Sequence, residues 1–360
     1  MGKATIRDIA KICGVSTATV TRAFQEGAKI SPAKRKLVLK VAAEEGYTSN
    51  KIAARLNKRA KAIKLAWINV LSAPLFDAQT NKGFREVMEA LRDYKVEAQI
   101  LNVLPGDDAT TQILAAIDQV AKEAFDGVLL GIGGYMSAPV LSKMQEMMRC
   151  GITVATMVDT ATPEFCHLGT RMDSYMVGSL ASEFLSSHGC CNAIIFSGNM
   201  VSSIHRSVVD GFCGYAMHSK MTVLSIYDMQ ENPERSRILA ETALIEHPEV
   251  DAVYISSVTS IPVCEVIRDK GLGNKIKVVA TNTFPGIHQF MQDGVVDMLI
   301  YTNPRKQLKT AMFNLYNRIA ENQNIPHEVL ITPIVVLKSN MSYYLDDWIS
   351  DDFHEYKHRR

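Results

Sequence analysis

No stretch of eighteen consecutive apolar residues occurs in the 360-residue chain, so no transmembrane helix is expected. The opening Met-Gly-Lys-Ala-Thr-Ile-Arg-Asp has neither an apolar core nor a small-residue cleavage site, and a secretory signal is not expected. Cysteine is scarce and odd in number, seven with the neighbours Cys190 and Cys191 among them, which argues against a disulfide framework and for reduced thiols in a cytoplasmic protein. No G-x-x-x-x-G-K-[ST] loop is present and no Ser or Cys lies in a recognisable nucleophile motif, so neither a nucleotide cofactor nor a catalytic residue is expected. Aromatic residues make up 7% and charged residues 21% against 47% hydrophobic, a balance that suits a soluble globular chain and not a disordered one. The length allows about two to three domains.

Charge is present, and it is unevenly placed. Residues 1–64 hold fifteen Lys and Arg against four Asp and Glu, an excess of eleven, while the remainder carries 24 basic and 34 acidic residues. Two modules with different partners follow: a small basic one for a polyanion, and a large acidic one that cannot wrap nucleic acid. A basic solvated tail is the alternative, and periodicity decides against it.

Thr5 followed three residues later by Asp8 has the form of a capping box, and Ile6, Ile9, Ala10 and Ile12 or Cys13 recur at helical spacing until Gly14. Ser16 can cap a second helix through Phe24, with Val15, Val20 and Phe24 facing the first. After a loop around Gly27, Ser31-Pro32 opens a third helix with Val38, Val41 and Ala42 inward, ended by Gly46. This is the layout of a helix-turn-helix domain, whose second helix enters the major groove. The residues there are short and polar, Ser16, Thr17, Thr19 and Thr21, followed by Arg22, which can give guanine a bidentate bond.

Thr5-Ile6-Arg7-Asp8-Ile9-Ala10, Gly14 through Arg22 and Glu45-Gly46-Tyr47 resemble the lactose-repressor (LacI/GalR) family of bacterial transcription regulators. The resemblance continues through Asn50 and Ala53-Ala54-Arg55-Leu56, which is similar to that family's hinge helix, although Ser49 stands where the family has proline and Asn57 where it has a basic residue. It implies that Thr17, Ala18 and Arg22 read the major groove. Asn50, Ala53 and Leu56 would then serve the minor groove, Leu56 as the wedge at the centre of a palindromic operator. An apolar side chain suits that role because it can unstack a base step and kink the duplex.

From Leu65 onward, strands and helices alternate. Apolar strands are expected at Leu65–Leu71, Glu97–Val103, Gly127–Gly131, Thr153–Val158, Ala193–Phe196, Thr222–Tyr227, Ala252–Ile255, Lys277–Ala280 and Met298–Ile300. Helices are expected at Gln79–Arg92, Ala109–Ala124 and Pro139–Arg149. Such alternation means parallel sheets covered on both faces, and there are too many strands for one sheet. The expected fold class is therefore α/β, with an all-helical helix-turn-helix domain (1–48), a hinge and linker (49–63), a two-lobed doubly wound domain (64–345) and a polar tail (346–360).

Gly83-Phe84, Phe125 through Val128, Gly151 through Val154, Asp173 through Gly178, Asp210-Gly211-Phe212 and Asn303-Pro304 resemble the periplasmic sugar-binding-protein-like effector domain of the same family. This implies lobe crossings near 160, 302 and 326, giving lobe one as 64–160 with 302–325 and lobe two as 161–301 with 326–345. Open α/β sheets bind ligands beyond the carboxyl ends of their strands. The candidates there are Phe76, Asp77, Asp159, Arg206, Asn282 and Thr302, which supply the donors, acceptors and aromatic face that a sugar needs. Family positions differ at Asn282, Ser256-Ser257, Thr302 and Val208, which leaves a phosphorylated or acidic ligand open.

Three further patterns carry little. His354-Glu355-Tyr356-Lys357-His358 matches H-E-x-x-H, but in a charged tail without a third ligand. His188, Cys190 and Cys191 lack ligand spacing, and Gly131-Ile132-Gly133-Gly134 has Met136 where a dinucleotide loop ends in glycine. No metal is expected. The reading is a cytoplasmic, non-enzymatic, allosteric repressor with double-stranded DNA, a carbohydrate-like effector and a second copy of itself as partners; whether dimers join into tetramers is open. A sugar-binding receptor, or a regulator controlled by a protein partner, are the alternatives.

Overall fold

The computed structural model describes residues 6–24, 30–45, 62–71, 74–159 and 161–345, with the side chains of residues 6, 21, 43 and 345 excepted. The boundary between a small and a large unit falls between Ala62 and Ile63.

Three helices build the small unit: α1 (Ile6–Ile12), α2 (Thr17–Ala23) and α3 (Pro32–Glu44). Gly14 ends α1 because it accepts a φ of +63°, which lets the Val15 N–H donate back to the Ala10 carbonyl at 3.0 Å. Ser16 opens α2, its side-chain oxygen accepting the Thr19 N–H at 3.2 Å. Ile9, Val20 and Val38 are fully buried at the centre, with Cys13, Val15, Phe24 and Val41 packed around them. Ile12 is 54% exposed, so of the two residues expected at this core position only Cys13 turns inward.

The large unit begins with β1 (Ile63–Val70), α4 (Pro74–Ala90), β2 (Val96–Val103), α5 (Ala109–Lys122), β3 (Gly127–Gly131), α6 (Ala138–Arg149), β4 (Thr153–Met157) and β5 (Leu168–Met172). It continues with α7 (Ser174–Ser187), β6 (Asn192–Ser197), α8 (Ser203–Ala216), β7 (Thr222–Asp228), α9 (Pro233–Glu246), β8 (Ala252–Ser256), α10 (Ile261–Asp269) and β9 (Lys277–Thr281). The last part holds α11 (Ile287–Gln292), β10 (Met298–Tyr301), α12 (Pro304–Glu321), β11 (Glu328–Ile331) and β12 (Ile334–Val336).

One sheet runs β11-β5-β4-β3-β1-β2, all parallel. The other runs β12-β10-β9-β8-β6-β7, parallel except where β12 meets β10. Alternate side chains of a strand point to opposite faces, and β8 shows both faces covered. Its Val253 and Ile255 join the core under α10, while Ala252 and Tyr254 join the core under α7 and α8. In the first lobe, Ala66 and Ile68 enter one core, and Trp67 packs on Phe84 of α4 with ring centroids 5.6 Å apart. No helix among the described residues is long and apolar enough to cross a membrane.

The lobe boundaries need correction. The first crossing lies at Asp173, not near 160, because Leu168–Met172 still pairs with β4 in the first sheet. The third lies between Ile331 and Ile334, not near 326, because β11 pairs with β5 before β12 joins β10. Leu-Gly-Thr-Arg-Met and Glu-Val-Leu-Ile are short, and the first holds a glycine and a charge, so neither stands out as an apolar run. Between these two, the chain passes from β10 to α12 through Thr302 and Asn303. Helix α4 starts at Pro74 rather than Gln79, since proline suits the first helical turn. Strand β4 stops at Met157, one residue short of expectation, because Val158 takes a φ of +80°.

Candidate functional site

In the small unit, the N-terminal turn of α2 carries the residues expected at the major groove. Ser16, Thr17, Ala18 and Arg22 are exposed, while Thr19 is half-buried and its hydroxyl lies 2.9 Å from that of Ser16. Thr19 thus helps to hold the helix start, and Ser16, Thr17 and Ala18 leave a shallow exposed surface there. The Thr21 side chain and the hinge residues Asn50, Ala53 and Leu56 lie outside the described residues, as does the His354–His358 tail.

In the large unit, a cavity of about 390 Å³ opens between the two lobes at the carboxyl ends of their strands. Phe76, Asn282 and Thr302 line it. Asn282 has a φ of +72°, a conformation asparagine tolerates better than most residues. Its side-chain oxygen accepts from the Thr302 backbone N–H at 3.1 Å and hydroxyl at 2.5 Å, which leaves the amide NH₂ as its donor end. Gln307 in turn donates to the Thr302 carbonyl at 2.8 Å, so the end of β9 and the start of α12 are locked together.

Asp77, Asp159 and Arg206 do not line the cavity. Asp77 follows Phe76 on a helix that turns about 100° per residue, and it is buried instead of facing the cleft. Asp159 spans the two lobes: Oδ2 accepts from the Gly134 N–H at 2.9 Å and Oδ1 from the Ser203 hydroxyl at 3.0 Å. Arg206 is exposed and donates through Nη1 to the Met200 and Val201 carbonyls at 2.8 and 2.6 Å. Its neighbour His205 reaches the cavity in its place.

Other lining residues were not anticipated. Asn69 is 3% exposed, and its side-chain nitrogen has no partner among the described residues. It is the lone strongly polar residue of Leu65-Ala66-Trp67-Ile68-Asn69-Val70, a signal readable from sequence. Tyr135 also contributes, and Gln230 and Glu231 lie just past β7, where the strand-end rule would have found them; Ser256, Ser257 and Val208, named from the family positions, line the cavity as well. Glu231 Oε1 sits 3.2 Å from His205 Nε2, and Glu231 Oε2 accepts the Ser257 hydroxyl at 2.6 Å. Beneath the cavity, the Tyr254 hydroxyl meets Thr281 at 2.9 Å, and burial drives its pKa upward.

Val158, Gln230 and Glu231 all line the cavity with φ of +80°, +53° and +52°. A left-handed backbone costs roughly 1–2 kcal/mol for an ordinary residue, so the surrounding fold must hold these three in place. The described lining carries neither Lys nor Arg. Among the described residues no group of three His, Cys, Asp or Glu could hold a metal. Burial first, then the carboxylates of Asp251 and Asp297, push the Cys190 thiol up to about 11, which makes it an inert structural group.

Two mainly parallel sheets with a cavity at the carboxyl ends of their strands define a binding-protein architecture, and residues 67–323 match the model of the periplasmic binding protein domain. The chain belongs to the periplasmic binding protein domain family through that region, and residues 5–50 match the model of the bacterial regulatory proteins of the lacI family, so a lacI-family helix-turn-helix domain precedes it. It is 22% identical over 233 residues to a transcriptional repressor, PurR, of Vibrio cholerae, covering 64% of this chain and 66% of that one. With the ribose operon repressor of Haemophilus influenzae it shares 25% identity over 276 residues, covering 75% and 78%. A solute-binding protein of Burkholderia graminis, solved with D-arabinose, has the same fold as the large unit, with a TM-score of 0.69 at 22% identity over 80% of this chain and 99% of that one.

Proposed function

We propose that this chain is a sequence-specific DNA-binding transcriptional repressor whose operator affinity is set by a small polyhydroxylated molecule held between the lobes. The observation that carries the reading is the pairing, in one chain, of a groove-sized helix start whose small side chains are exposed with an interlobe cavity lined from both sheets. Ser16, Thr17, Ala18 and Arg22 meet base edges and phosphates. Phe76 offers an apolar face to a sugar ring, and Asn69, Asn282 and Thr302 address its hydroxyls. The protein works as a cytoplasmic homodimer on a palindrome, because one α2 reads half a site and a two-fold protein matches a two-fold sequence. A ligand that prefers one lobe arrangement changes DNA affinity by its preference between the two, about 1–3 kcal/mol per site.

The test is selection of duplexes from a randomised pool by the full-length protein. An enriched inverted repeat is the expected result. A pool that shows no sequence preference over competitor DNA ends the reading, whatever small molecules are added.

A further inference from the structure

The cleft has a chemical polarity that narrows its ligand class. Among its described lining residues the single formal charge is Glu231, with no Lys or Arg to neutralise it. A directed chain of hydrogen bonds fixes this carboxylate. The Thr259 N–H donates to Ser257 Oγ at 2.9 Å, the Thr259 hydroxyl lies 2.7 Å from the same oxygen, and the Ser257 hydroxyl donates to Glu231 Oε2 at 2.6 Å. On the other side, His205 Nε2 lies 3.2 Å from Glu231 Oε1. His205 Nδ1, on the far side of the ring, is buried without a partner among the described residues.

A carboxylate has about four acceptor sites, and two are used here. Lobe two therefore presents the remaining Glu231 lone pairs to the cleft. Placement of the pair is a built feature. Glu231 is held in a left-handed conformation, and a side chain at Gly198 would collide with both His205 and Glu231. The opposite wall, from lobe one, supplies the aromatic rings of Phe76 and Tyr135 and the amide of Asn69. Such a wall suits the faces and hydroxyls of a saturated ring. A group of hydrogen-bond donors carrying one positive charge is what the Glu231 carboxylate lacks.

Resting on the reading of this cleft as the effector site, we propose that it selects polyhydroxylated rings bearing a protonated amine, amino sugars as a class, with Glu231 as the specificity-determining counter-charge. Phosphorylated and carboxylated sugars are rejected by the same group, since like charges meet in a partly desolvated wall.

Titration calorimetry of the full-length protein near neutral pH tests this with glucosamine, galactosamine and mannosamine, each against its parent hexose and its N-acetyl form, and with glucose 6-phosphate. At least one free amine should bind roughly ten- to a hundredfold more tightly than its parent and its N-acetyl form, the range a charge-assisted hydrogen bond supplies. Glu231→Gln, with unchanged thermal unfolding, should bring amine and parent to similar affinity. Equal or better binding of the parent or the phosphate, a preference that survives Glu231→Gln, or no binding across the panel would each overturn the proposal. The N-acetyl comparison removes the charge from the ligand side, so the result does not depend on the variant folding. Failure here with an operator still selected leaves the regulator reading intact, and failure of the duplex selection condemns that reading by itself.

Discussion

Arg22 is the longest exposed donor on the described part of α2, beside three side chains too short to reach far. Arg22→Ala should cost about 1–3 kcal/mol of operator affinity and relax one base position. Fluorescence anisotropy on single-base operator variants checks it, and uniform weakening across all variants would make Arg22 a phosphate contact instead. At this scale the sequence was informative about which strand ends matter and less so about which way side chains turn. Phe76, Asn282 and Thr302 reach the cavity, whereas Asp77 and Arg206 are carried off by a helical step and by a loop's unsatisfied carbonyls. The pairing of Glu231 with His205 joins residues 26 positions apart through Gly198, a contact that no local spacing announces.

Helix pairs in the large unit are joined by two different devices. Between α7 and α8 it is absence of side chain: a Cβ on Gly178 would strike the Val208 carbonyl and Phe212 backbone, and one on Gly211 would strike Tyr175. Overpacking of this kind costs typically 1–3 kcal/mol. Gly178→Ala should therefore lower Tm by several degrees in a calorimetric scan, and an unchanged Tm would show that the helices separate freely. Between α4 and α12 it is charge. Burial alone would raise the Glu86 pKa, but hydrogen bonds and attraction from Lys309, at 2.8 Å, and Arg305 outweigh it and hold the carboxyl below its ordinary range. Long apolar strands such as Trp67-Ile68-Asn69-Val70 were legible because a buried parallel strand needs both faces apolar. The five-residue β5 and the four-residue β11 were not, since their place is fixed by a neighbouring strand and not by their own pattern.

Across the whole molecule, two histidines make folding depend on acidity. Burial lowers the pKa of His288, and burial first, then the charge of Arg318, lowers that of His167, whose Nδ1 accepts the Val154 N–H at 3.0 Å. Both bind protons more readily in the unfolded chain, near the usual value of about 6.5. Stability from these groups is therefore complete above about pH 6.5 and declines as pH falls through that value toward the lower folded ones. The urea midpoint should drop between about pH 7.5 and about pH 5.5, and His288→Leu should flatten the slope; a midpoint that rises on acidification would refute the assignment. The uneven charge is legible at this scale too, because a basic surface and an acidic one need only composition to be recognised.

Three separate chain passages, at Asp173, at Thr302–Asn303 and between Ile331 and Ile334, tie one sheet to the other. A body pinned at three neighbouring points can swing but cannot slide or spin freely. A molecule settling between the halves would have its size and chemistry condensed into one angle, a single number where a looser joint would give several.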